Sequence, residues 1–158
     1  MDDADKVIEV FVEWFMREGF HPARDYRNVK EPVLVRDMLR QLESWNPQDL
    51  RGWKAIEREK PFPVGPFGHR YETDIELVHD DARCVPIEVE LMKDGAGWKP
   101  AEAVGQAIMF SRRSDAGKAI AAILDVRTNP PAEGETEQKL KVDLWEKFGV
   151  RLCVRRGG

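Results

Sequence analysis

A mixed α/β fold in a single domain is predicted for this chain, and three observations predict it. Helical and strand-like periodicities alternate along the sequence, which favours a sheet with helices packed on it. The 158 residues, 42% of them hydrophobic, match the size of one domain. A chain of that length buries a sizeable core without disulfides or a structural metal. Near the C-terminus a strand, a helix and a strand follow one another, the order of a parallel crossover. No internal repeat, low-complexity tract or domain linker interrupts the pattern.

The elements follow in order. Val7, Phe11, Trp14 and Phe15 fall on one stripe and predict an amphipathic helix from Ala4 to Gly19. Asp2 and Asp3 suit its positive N-terminal end, and Gly19 suits its stop. Phe20 to Pro32 carries only a weak strand pattern. A second helix is predicted from Val33 to Ser44, with Val35, Met38, Leu39 and Leu42 on one face. A short helix is expected from Asp49 to Glu59, carrying Trp53 and Ile56 inward. "KPFPVGPFGH" holds three prolines and two glycines and reads as a joining loop. "RYETDIELV" and "CVPIEVELM" then alternate as strands. The polar turn "HDDAR" between them implies an antiparallel hairpin. Pro100 opens a helix from Ala101 to about Ser114, with Val104, Ala107, Ile108 and Ser111 as its packed face. Gln106, Phe110 and Arg113 form the neighbouring row. "KAIAAILDV" reads as a buried strand. Thr136 to Phe148 reads as a helix with Leu140, Leu144 and Phe148 inward, and "VRLCV" as a final strand.

Charge and composition narrow the function classes. The 25 basic and 29 acidic residues give a net charge of -4, without the basic excess common in nucleic-acid binders. A carboxylate cluster would lower net charge while basic residues gather on one face. Cys84 and Cys153 lie in strand-like apolar settings and read as reduced, buried thiols. His21, His69 and His79 are scattered, which argues against a zinc site. No apolar run approaches the ~20 residues that span a bilayer. The acidic start "MDDADK" is the wrong flank for a secretory signal. A soluble, cytoplasmic protein with no membrane partner is expected.

The chemistry concentrates in the hairpin. Asp74 lies on the polar face of its first strand, and Glu88 and Glu90 lie on the polar face of its second. Opposed residues of an antiparallel pair have Cβ atoms ~4.5–5.5 Å apart, so the three carboxylates converge in a suitable register. Such a cluster raises its own pKa values by repulsion. A divalent cation relieves it, and hard oxygen ligands suit Mg²⁺ or Mn²⁺. Taken alone, alternating acids on a half-buried strand read as a solvated face, and Glu72 and Glu76 extend that row.

The succession of helix, acidic hairpin, helix with Gln106, and strand resembles the PD-(D/E)xK nuclease superfamily, the restriction-endonuclease-like fold. The resemblance covers about Val7 to Val126 and leaves 32–63 as a helical insertion in one nuclease-like domain. It implies a core of helix, three strands, helix and strand, with a mixed sheet flanked by helices. It puts Asp74 at the first acidic position and Glu88 at the D/E of D/E-x-K. Glu90 then stands where the family has lysine, giving an E-x-E variant. Glu90 would be a further metal ligand or the general base, with Lys93 or Lys99 as substitute lysines. Gln106 and Phe110 match a Gln and Tyr pair on the following helix. Glu13, ahead of Glu9, matches the glutamate of the first helix and would complete a metal set of Asp74, Glu88, Glu90 and Glu13. Arg112, Arg113 and Lys118 would bind nucleic acid. The implied activity is Mg²⁺- or Mn²⁺-dependent hydrolysis of phosphodiester bonds in DNA, by an endo- or exonuclease, and a homodimer would suit cutting two strands. A second reading stays open: a degenerate module that binds nucleic acid or a protein partner without cutting.

Overall fold

The computed structural model describes residues 3–17, 19–45, 52–57 and 73–157. Ten elements follow one another: α1 (Asp3–Met16), a 3-10 turn (Tyr26–Asn28), α2 (Glu31–Leu42), β1 (Trp53–Ile56), β2 (Ile75–His79), β3 (Cys84–Met92), α3 (Lys99–Arg113), β4 (Ala119–Asp125), α4 (Glu135–Phe148) and β5 (Val150–Arg156). The five strands form one mixed sheet in the order β1-β2-β3-β4-β5. β1, β2 and β3 pair antiparallel, and β3, β4 and β5 pair parallel. The expected hairpin and parallel crossover are both present. No described helix is long and apolar enough to cross a membrane.

Alternation sorts the sheet into two faces. Ile75, Leu77, Ile87, Val89 and Leu91 join the larger core with Val7, Phe11 and Phe15 of α1 and Leu34 and Met38 of α2. Ala121, Ile123, Leu152 and Val154 face the other way, into a smaller core with Ala107 and Phe110 of α3 and Leu144 of α4. β4 has both faces covered, and all seven of its residues are buried. Arg155 ties the layers together: its Nη1 donates to the carbonyls of Phe15 and Phe20. Gly149 ends α4 in the left-handed region, φ 65°, as its place after Phe148 requires.

Several expectations need correction. Trp53 and Ile56, read as one face of a short helix, instead lie in strand β1 along the edge of β2. A four-residue apolar pattern fits both periods, and the open sheet edge decides. Segment 32–63, expected as an insertion, thus supplies most of α2 and a strand of the sheet. The weak strand of 20–32 is replaced by the 3-10 turn, whose N-cap Asp25 accepts from the Arg27 N–H. α3 begins at Lys99 and is rotated from its expected face. Ala103, Ala107, Phe110 and Ser111 are buried, so Phe110 belongs to the core. Leu140 of α4 is 43% exposed rather than inward. Residues 58–72, with the whole of the Pro/Gly loop, lie outside the described residues.

Candidate active site

The site begins where β2 leaves β3. The ladder starts at Ile75 opposite Ile87, and among the described residues no strand pairs with β3 beyond it on that side. The β3 N–H groups there are taken by carboxylates instead. Val89 N–H donates to Asp74 Oδ2 at 2.8 Å, and Leu91 N–H donates to Glu31 Oε1 at 3.2 Å. One open strand edge therefore positions two acids, one ahead of β2 and one opening α2. Pro32 in the first turn of α2 starts that helix and sets Glu31 at its N-terminal end. Glu88 and Glu90 project from the other face of β3, where the β4 ladder holds them rigidly opposite Ala121 and Ile123.

Four carboxylates thus come together, from α2, from β3 and from the residue ahead of β2. The pKa values of three of them show how poorly they are compensated. Glu88 is pushed up to about 9, first by burial and then by Asp74, Glu31 and Glu90. Glu90 is raised to about 8 by burial and by Glu31, against the pull of Lys99. Asp74 rises to about 6 by burial, with the Val89 N–H opposing. Glu88 is 8% exposed, and its Oε2 is buried with no hydrogen-bond partner among the described residues. A buried polar atom left in that state is costly.

The carboxylates open into a cleft of about 480 Å³. Lys30, Lys93 and Lys99 line it beside Glu31, Glu88 and Glu90, and α3 contributes Glu102 and Gln106. Lys93 is anchored, its Nζ donating to the Val29 carbonyl at 2.9 Å. Lys99 stands at the start of α3 and acts electrostatically on Glu90. Its neighbour Trp98 is 81% exposed.

The sequence-derived set is only partly assembled. Asp74, Glu88, Glu90 and Gln106 are brought to this region. Glu13 is not: it is exposed on α1 and pairs with Arg17 at 3.3 Å. Glu9 pairs with Arg151. Glu31, which sequence reasoning did not single out, lines the cleft. Arg112, Arg113 and Lys118 also lie outside the cleft lining. Arg112 donates to the Lys147 carbonyl and sits over Phe148. Lys118 pairs with Asp5 and sits over Trp145. Arg113 is exposed at the last turn of α3, about two turns beyond Gln106.

No family model matches the chain, and no curated protein matches it. Among solved structures, the crystal structure of a repair endonuclease from Pyrococcus abyssi is similar, with a TM-score of 0.41 and 21% sequence identity. The match covers 86% of this chain and 50% of that one, so the chain spans about half the length of that protein. At this distance function has to be argued from the side chains.

Proposed function

We propose that the protein is a metal-dependent nuclease of the PD-(D/E)xK type, with a restriction-endonuclease-like core, that hydrolyses phosphodiester bonds in DNA. The observation that carries this reading is the convergence of Glu31, Asp74, Glu88 and Glu90, with Glu31, Glu88 and Glu90 lining one cleft and Glu90 still raised to about 8 against the pull of Lys99. The order of elements supports it. From α2 through β1, β2, β3 and α3 to β4, the chain runs helix, three strands, helix, strand. This makes α2, not α1, the first helix of the core and Glu31 its acidic residue.

The donor set fits a hard divalent cation, Mg²⁺ or Mn²⁺: all donors are carboxylate oxygens, and Glu88 Oε2 is an orphaned one. Asp74 and Glu88 would hold it, with Glu31 or Glu90 completing the set. When bound, such an ion lowers the pKa of water and offsets charge on the phosphoryl oxygens. The remaining roles belong to the chain itself. Glu90, with a pKa near the working pH, suits a general base that takes a proton from the attacking water. Lys99 supplies from α3 the positive charge that β3 lacks at Glu90. Gln106 donates an amide N–H to a phosphate oxygen. Trp98 offers a face on which a base stacks, an interaction worth ~1–3 kcal/mol.

One observation favours the alternative of a binding module that does not cut. Among the described residues, no three Asp, Glu, His or Cys side chains are already arranged as a ligand set for a metal ion. Incubating supercoiled, linear and branched DNA with the protein in Mg²⁺ or Mn²⁺ separates the two, with an Asp74→Ala, Glu88→Ala double variant alongside. Metal-dependent cutting that the variant lacks is expected. Binding without cutting, unchanged in the variant, would establish the module instead.

A further inference from the structure

A second cavity, of about 420 Å³, lies at the carboxyl end of β4 and is lined by Arg24, Tyr26, Arg27 and Arg127. Each of these arginines is braced by its own aspartate through the same edge of the guanidinium. Arg24 Nε and Nη2 donate to Asp37 at 2.7 and 3.0 Å. Arg27 Nε and Nη2 donate to Asp25 at 3.0 and 2.7 Å. Arg127 Nε and Nη2 donate to Asp125 at 3.0 and 2.8 Å. Nη1 of all three donates to nothing among the described residues. Asp37 and Asp125 are buried, 5% and 0% exposed, so two of the braces are built into the core. A guanidinium held along one edge keeps its other N–H groups aimed and ready for an anion. Three isolated salt bridges have no reason to share one opening.

The cavity and the acidic cleft are linked by a hollow that shares one lining residue with each. Arg27 lines the next hollow, of about 500 Å³, together with Asn28, Lys93 and Asp94. Lys93 in turn lines the cleft. Asp94 is the anionic member of the middle hollow, and its carboxylate is engaged by the N–H and hydroxyl of Thr128. From Arg24 to Lys99 the openings are therefore consecutive, and each carries a cation.

We propose that these openings form the path of a nucleic-acid strand, and that Arg24, Arg27 and Arg127 bind one of its phosphates away from the bond presented to the acidic cleft. The phosphate site rests on the nuclease reading only for the location of that bond. Contacts of this kind set the register of a strand and do not read its sequence.

The test is fluorescence anisotropy with a labelled single-stranded oligodeoxynucleotide in EDTA, where cutting is blocked, over a range of salt. Arg27→Gln is the main variant, because Arg27 and Asp25 are both more than half exposed or nearly so, at 58% and 50%, and the fold does not rest on them. It should weaken binding ~10-fold, the loss of about one charge-assisted hydrogen bond. It should also lower the salt slope by about one. Arg24→Lys and Arg127→Lys keep a cation beside the buried aspartates, lose the fork, and should also weaken binding. Arg17→Gln, on the exposed surface of α1, should change nothing. End-phosphorylated and unphosphorylated oligonucleotides tell a terminal phosphate from an internal one by which of them shows the Arg27 dependence. Wild-type affinity and salt slope in Arg27→Gln and Arg127→Lys, or no binding by the wild type, overturns the proposal. Arginine-dependent binding without cutting in Mg²⁺ upholds it and fails the nuclease reading. Cutting with unaltered binding in Arg27→Gln does the reverse.

Discussion

The protein buries acids in two different ways. Asp37 and Asp125 are buried against arginines. Asp37 accepts from Arg24 and from the Tyr26 hydroxyl at 2.7 Å, and its carboxyl is held below its ordinary range, first by the Arg24 hydrogen bond. Asp125 faces Arg127. Glu88 is buried and Asp74 and Glu90 are half-buried, set against one another, and all three are pushed upward. The first arrangement is complete within the chain. The second is complete only when protons, or a cation from outside, supply the missing positive charge. That difference is what marks the second group as candidates for chemistry.

Substitutions can break this contrast, and the largest effect is expected on catalysis. Glu90→Gln keeps the shape and removes the base, so the rate of DNA cleavage in Mg²⁺ should fall ~10²–10⁴-fold. Retention of full activity would make Glu90 a bystander. Next comes the fold-building pair. Arg127→Ala leaves Asp125 fully buried without its cation and should cost about 3 kcal/mol in urea unfolding. Arg127→Lys should recover part of that loss.

In the cleft the effect on stability should have the opposite sign. Glu88→Gln removes an uncompensated acid and should raise the melting temperature of metal-free protein at pH 8 by ~2–4 °C, the shift that ~1 kcal/mol gives in a domain of this size. The pH dependence follows from the same groups. Glu88 at about 9 and Glu90 at about 8 lie above their ordinary 4.5, and Asp74 at about 6 lies above 3.8. Between the ordinary and raised values the folded protein holds more protons than the unfolded chain. The contribution of these groups to stability should therefore fall as pH rises from about 5 to 9. Melting curves across that range, with Glu88→Gln showing a shallower fall, check this. The smallest effect is expected from Arg112→Ala. Arg112 is engaged by Lys147 and Phe148 away from the cleft, and DNA affinity should change less than about twofold, as for a surface side chain outside the contact.

Much of this was legible in the sequence, because strong periodicity marks helices and strands locally. α1, α3, α4 and all strands but β1 lay where their apolar patterns put them. Asp74, Glu88 and Glu90 followed from strand parity and a hairpin turn. β1 was not legible, since Trp53–Ile56 satisfies helix and strand spacing alike and pairs only because β2 offers an edge. With β1 read as helix, 32–63 was taken for an insertion and Glu31 was not singled out. A signal was present in "KEP", where Pro32 marks a first helical turn and puts Glu31 at its start. Arg112 and Arg113 were singled out by their nearness to Gln106 in sequence, whereas Arg24, Arg27 and Arg127 come together only through tertiary contact.

The central claim is that the uncompensated acids of the cleft hold a divalent cation. Titration calorimetry with Mn²⁺ at pH 7 in buffers of different ionisation enthalpy tests it most directly. Wild-type protein should bind the ion and release protons, because Glu88 and Glu90 give theirs up on binding. The Asp74→Asn, Glu88→Gln double variant should bind far more weakly. Absence of binding by the wild type, or equal binding with no proton release in both proteins, would contradict it.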